Sequence, residues 1–173
     1  MTITLTKAPH IALSNIKRVA HFSEETHCYT AVLYVDGERW GTVSNRGHGG
    51  PDDFHGEGGR GYADIETLNT LIGETYKPYV YGDEGRNQII LEQNLEMVCG
   101  DLVNQWLRDR DFARAMKAKV LFTKPDVAGV WELAVKKPQT HWMVLDAMRA
   151  KYPTYTYLSD LPIDEAKAIY FAN

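Results

Sequence analysis

The stretch CYTAVLYVDGERWGTVSN, Cys28–Asn45, decides how this chain folds. Two runs rich in β-branched and aromatic residues flank Asp36-Gly37, a pair favoured in a two-residue type I′ turn because both central positions need positive φ. With that pair at the tip, a regular antiparallel register sets Val35 opposite Glu38, Leu33 opposite Trp40, Ala31 opposite Thr42 and Tyr29 opposite Ser44. Tyr29, Leu33, Val35 and Trp40 then share the core face. Thr30, Val32, Tyr34, Arg39 and Val43 share the other.

On the N-terminal side, NIKRVAHF (Asn15–Phe22) and TITL (Thr2–Leu5) read as further strands. On the C-terminal side follows RGHGGPDDFHGEGGRG, Arg46–Gly61, which holds half of the chain's 14 glycines. Among them stand His48, Asp52, Asp53, His55 and Glu57, with Arg46 and Arg60 at the flanks. The hairpin register roots this loop at the end away from the tip, where the first strand begins. Glu24, Glu25 and His27 of HFSEETH are therefore expected near its root.

Beyond the loop the pattern becomes helical. YADIETLNTLIGETY places Ile65, Leu68 and Ile72 on one face, with Asp64 and Glu66 near the start where the helix dipole favours anions. KPYVYGDEGRN reads as a connector. The spacing of Leu91, Leu95, Val98, Leu102 and Trp106 predicts a long amphipathic helix over Gln88–Arg110, and DFARAMKAK a short one after it. KVLFTKPDVAGVWELAVKKP reads as a second hairpin turning around Pro125–Gly129. QTHWMVLDAMRAKY is a helix stopped by Pro153, TYTYLS a short strand, and SDLPIDEAKAIYFAN a final helix with Pro162 at its start. The expected fold is a single α+β domain over residues 1–173. Its largely antiparallel sheet is built from the N-terminal hairpin region and the C-terminal hairpin, packed against several helices.

Composition sets the functional bounds. With 44% hydrophobic and 24% charged residues the chain is globular in type. A net charge of −4 opposes broad phosphate neutralisation and leaves protein partners or small ligands open, with nucleic acid the lesser expectation and a protein the leading one. Cys28 and Cys99 match no metal or redox spacing and read as reduced thiols. No apolar run reaches the roughly 18 residues of a membrane span, and MTITLTKAPH lacks the pattern of a secretory signal. A soluble, cytoplasmic protein without membrane attachment is the expectation.

The glycine-rich loop concentrates the chemistry. Its backbone amides and two arginines could face an anion, but neither GxxxxGK[ST] nor GxGxxG is present, and Asp52 and Asp53 would repel a phosphate. His48, Asp52, Asp53 and His55, helped by Glu24, Glu25 or His27, carry metal-ligating atoms in no recognised spacing. A metal-dependent hydrolase or nuclease using them is the alternative reading. Ser44, His48 and Asp52 can be written as a triad, yet no GxSxG elbow holds the serine. Cys28 and His27 are adjacent in a strand and point to opposite faces. No cofactor, metal site or catalytic residue is assigned, which leaves enzymatic activity open.

The leading reading is recognition. Loops held at their roots by a rigid hairpin commonly carry binding. Arg46, His48, Asp52, Asp53, Phe54, His55 and Arg60 form the candidate contact set, with Phe54 as its aromatic anchor. Tyr79, Tyr81, Tyr152, Tyr155 and Tyr157 form a second candidate surface.

The hairpin and loop, SEETHCYTAVLYVDGERWGTVSNRGHGGPDDFH, resemble the start of small uncharacterised proteins encoded by phages, plasmids and their bacterial hosts, and YLSDLPIDEAKAIY resembles their ends. The resemblance covers those two regions only and brings no catalytic residue across. It implies a mobile-element protein that works by binding, in interference with a host defence or replication component.

Overall fold

The hairpin tip forms as its dipeptide demands, with φ of 52° at Asp36 and 82° at Gly37. The computed structural model describes residues 8–83 and 86–172, so the TITL expectation lies outside the described residues. In chain order the elements are β1 (Ile11–Arg18), β2 (Tyr29–Val35), β3 (Glu38–Asn45), β4 (Asp53–Gly56), α1 (Tyr62–Thr75), β5 (Tyr79–Asp83) and β6 (Arg86–Leu91). They continue with α2 (Leu95–Ala118), β7 (Lys119–Lys124), β8 (Val127–Ala134), α3 (His141–Lys151), β9 (Thr156–Tyr157) and α4 (Ile163–Phe171). Short 3-10 turns occupy Ala20–Phe22 and Leu158–Asp160. Helices with antiparallel strands make the α+β class expected. The strands form three separate sheets, ordered β1-β2-β3-β4, β5-β6 and β8-β7-β9, rather than one. The chain divides into two compact units, one up to Gln105 and one from Trp106 onward.

In the first unit the hairpin keeps the expected register only at its tip. Val35 pairs with Glu38 and Tyr34 with Arg39, but Leu33 pairs with Gly41, Ala31 with Val43 and Tyr29 with Asn45. Trp40 is the extra residue of a β-bulge, which shifts everything after it by one place. Val43 therefore lies on the core face, 0% exposed, and not on the outer face as the regular register predicted. Asn45 is turned inward with it. Gly41 suits the displaced strand, because a Cβ there would stand 2.1 Å from the His55 carbonyl oxygen of the next strand.

That next strand, β4, interrupts what the sequence suggested was one loop. Val43 pairs with Phe54, Thr42 with His55 and Ser44 with Asp53. Strand alternation then leaves Asp53 and His55 exposed and turns Phe54 half inward. At the other edge β1 starts and ends earlier than NIKRVAHF suggested, with an irregularity between Ser14 and Lys17 where Asn15 takes φ 51°.

The apolar interior of this unit draws on Leu33, Val35, Trp40 and Val43 of the sheet, Leu68 and Ile72 of α1, and Leu95, Cys99 and Val103 of α2. Ile65 completes the α1 stripe half-buried, and the Asp64 carboxylate caps that helix by accepting from the Gly61 amide at 2.8 Å. Helix α2 does not begin at Gln88. Gln88–Leu91 belongs to β6, which pairs with β5, because its consecutive Ile89 and Ile90 suit a strand as well as a helix. The helix starts after Asn94, whose side-chain oxygen accepts from the Met97 amide at 2.9 Å. It then runs through DFARAMKA to Ala118, where the sequence suggested a separate helix.

In the second unit β7 is covered on both faces. Val120 and Phe122 pack with Val144, Leu145 and Tyr157, whereas Leu121 packs with Phe112, Leu158 and Ala166. The β7–β8 turn is tighter than expected, with Lys124 pairing Val127 across Pro125-Asp126. Thr140 caps α3 by accepting from the Met143 amide at 3.3 Å. Among the described residues no helix is long and apolar enough to cross a membrane.

Candidate functional site

The bulge at Trp40 delivers Asn45 to the inside of the sheet's end, where it is 7% exposed and is the buried polar residue of the described chain. A buried amide must be satisfied at both ends. The Asn45 oxygen accepts from Thr26 Oγ1 at 2.8 Å and from the Gly47 amide at 2.8 Å. Its nitrogen donates to the Gly50 carbonyl at 3.0 Å and to Asp52 Oδ1 at 2.9 Å. One side chain thus ties the Val19–Cys28 connection to Gly47, Gly50 and Asp52 of the glycine-rich segment.

Gly47 makes the second tie. Its carbonyl accepts from three successive amides, Glu24 at 2.9 Å, Glu25 at 3.0 Å and Thr26 at 3.4 Å. Such a run of amides is an anion nest, and here the chain's own carbonyl fills it. Gly47 has φ 87°, and a Cβ there would lie 2.0 Å from the Phe22 carbonyl oxygen. Glu24, Glu25 and His27 do lie at the root of the loop, as the hairpin geometry predicted. Turn and loop form one locked surface.

Two cavities open on it. The first, of about 560 Å³, lies between the turn and the start of α2 and carries Glu24, Glu25, Asp52 and Glu96 with Arg18 and His27. At its floor the Tyr29 hydroxyl donates to Asp52 Oδ2 at 2.5 Å. Burial raises the Asp52 pKa above the usual carboxylate range against the lowering effect of the bonds from Tyr29 and Asn45. Glu96 is raised as well, first by burial and then by the nearby Asp52 charge, while the Asp52 amide bonded to it acts the other way. Burial, then the bond to Asp52, keeps Tyr29 a neutral phenol. Arg18 Nε donates to His27 Nδ1 at 3.3 Å, which places the imidazole proton on Nε2, 2.8 Å from Asn104 Oδ1.

The second cavity, of about 570 Å³, shares Tyr29 and Asn45 with the first but has the opposite character. Val19, Phe22 and Cys28 supply apolar surface, and Lys17, Arg46 and His48 stand around it. Phe22 is 52% exposed. His48 Nδ1 is 3.2 Å from Glu24 Oε2. Among the described residues Lys17 and Arg46 have no carboxylate partner.

No protein-family model matches this chain, and no curated protein or solved structure matches it significantly.

Of the residues singled out in the sequence, the structure brings Arg46 and His48 together beside the apolar cavity. Asp52 sits apart from them in the acidic cleft. Asp53 and His55 occupy the exposed side of β4, and Phe54 turns toward Ile65 and Asn69 of α1. Arg60 donates to three backbone carbonyls, of Arg39 at 3.3 Å, Trp40 at 3.2 Å and Glu57 at 3.0 Å, and so fastens the far limb of the segment. His48, Asp52, Asp53 and His55 do not converge, and among the described residues no three His, Cys, Asp or Glu side chains are grouped to hold a metal. Ser44, His48 and Asp52 make no triad, since Asp52 bonds Tyr29 and Asn45 while His48 bonds Glu24. Of the tyrosines, Tyr79 of the first unit donates its hydroxyl to Asp101 of α2, and Tyr152 and Tyr155 of the second stack at 4.8 Å.

Sequence reasoning missed Asn45, Phe22 and Lys17. Asn45 carried little signal, because the regular register set it with Val43, two places away, on the outer face. Phe22 and Lys17 carried none, because their neighbours come from other segments.

Proposed function

We propose that this chain is a non-enzymatic recognition protein whose contact surface is the locked pair of the Val19–Cys28 turn and the Arg46–Gly50 loop limb. The observation that carries the reading is the tie between Gly47 and the amides of Glu24 and Glu25. A glycine-rich segment that is already ordered loses little conformational freedom on binding, which favours affinity. The same surface presents an exposed aromatic ring, two cations and a flanking acidic cleft, the mixture that protein contacts use. The likeness to phage and plasmid proteins supports a partner in the bacterial host, in its defence or replication machinery, met in the cytoplasm.

Affinity capture from bacterial lysate, with the same protein quantified across variants, tests this. A captured protein should be lost with Phe22→Ala, Glu25→Lys or Arg46→Glu, each variant keeping its melting temperature. A partner retained by all three would place the contact elsewhere and sink the proposal.

A further inference from the structure

The cavity at Phe22 goes further than the surface in general, because its chemistry selects a ligand. We infer that Lys17, Arg46 and Phe22 receive a short acidic segment of a partner protein, an aromatic or large aliphatic side chain flanked by carboxylates. This rests on the reading of turn and loop as the contact surface, and adds the chemical class of what binds there.

Three separate segments build the pocket. Lys17 is held by its pairing with Thr30, Phe22 ends the 3-10 turn, and Arg46 directly follows β3. Their relative positions are fixed by strand pairing and by the bonds to Gly47. The volume of about 570 Å³ falls within the roughly 300–1,000 Å³ of small-ligand clefts, room for one large side chain and its neighbours. Phe22, 52% exposed, and Val19, 37% exposed, leave apolar surface that an apolar side chain would cover.

Charge decides the flanks of that side chain. No carboxylate lines this cavity, and Lys17 and Arg46 carry positive charge with no acidic partner among the described residues. Arginine beside an apolar pocket is suited to bidentate capture of a carboxylate. His48, already bonded to Glu24 through Nδ1, adds only its remaining ring nitrogen. A nucleic acid would satisfy the two cations less well. Its consecutive phosphates would run past exposed Glu24 and Glu25, on a chain of net charge −4. A peptide with one or two acids avoids that repulsion.

The test is selection of a random nine-residue peptide display library on the purified chain, followed by fluorescence anisotropy with the enriched peptides. The expected pool carries an aromatic or large aliphatic residue next to Asp or Glu. Arg46→Glu with Lys17→Glu should weaken binding more than about tenfold with an unchanged melting temperature, and the wild-type affinity should fall as salt rises. Exchanging the peptide's acids for lysines should restore binding to the charge-reversed variant. Phe22→Ala should cost a similar factor. A pool without acids, no enrichment, or competition by oligothymidylate that depends on Arg46 would overturn the inference. If enriched peptides depend on Glu25 but not on Lys17 or Arg46, the contact surface stands and only the ligand class falls. If they depend on none of these, both fall.

Discussion

Gly47 stands so close to Phe22 that a Cβ in place of its hydrogen would lie 2.0 Å from the Phe22 carbonyl oxygen, at a φ of 87° that other residues resist. Gly50, three residues on, has open space around it. Replacing Gly47 by alanine combines backbone strain with a clash against backbone, and should cost at least about 2 kcal/mol. Gly50→Ala should stay within about 0.5 kcal/mol of the parent. Denaturant unfolding of the two variants compares them directly, and equal costs would mean that the turn and loop are not locked together.

Asn45 is bonded on both sides of its amide to four different groups. Asn45→Ala leaves the Gly47 amide and the Thr26 hydroxyl without their acceptor, and should destabilise by about 2–3 kcal/mol. Asn45→Asp should do worse above the carboxylate range, because it sets a second acid against Asp52. Thermal melts at neutral pH would read both, and a neutral Asn45→Asp substitution would contradict this arrangement.

The acidic cleft gives a pH dependence with a definite sign. Burial raises the pKa of Glu96 and of Asp52 above their unfolded values. Between the unfolded value, about 4, and the raised folded value, the native state holds more protons than the unfolded one. Stability from these groups is therefore complete at lower pH and is lost as pH rises through the folded values. Glu96→Gln should gain on the parent as pH rises from about 4 to 7 and show no advantage in acid. A difference in melting temperature that does not vary with pH would refute this.

Tyr79 donates to Asp101, and that bond, with a smaller part from burial, pushes its phenol up to about 12. Ultraviolet titration, with Tyr79→Phe as the subtraction, should find this phenol late. Asp101→Asn should return it toward the ordinary value of about 10. A Tyr79 titration that is the same with and without the Asp101 carboxylate would show the bond to be absent.

The hairpin was legible because Asp36-Gly37 states its turn locally. Its register was not, since the bulge at Trp40 goes with β4 lying against Gly41, and the Gly56 that pairs with Gly41 is fifteen residues away in sequence. That single slip hid both Val43 from the core and Asn45 from the site. β4 itself, four residues among glycines, has too short an alternation to be read. The start of α2 was misplaced for a related reason, as Ile89 and Ile90 satisfy either period and only Asn94 marks the cap. Of the site, Arg46 and His48 were legible from the loop's composition. The aromatic ring beside them was not, because β4 turns Phe54 away and the β1–β2 connection supplies Phe22 instead.

In the unliganded chain the glycine-rich limb is already held as part of one ordered surface. Amide hydrogen exchange of Glu24 and Glu25 measures this, since both residues are exposed yet their amides donate to the Gly47 carbonyl. Slow exchange is expected at both, accelerated by Gly47→Ala. Exchange at the rate of an unstructured peptide would contradict it.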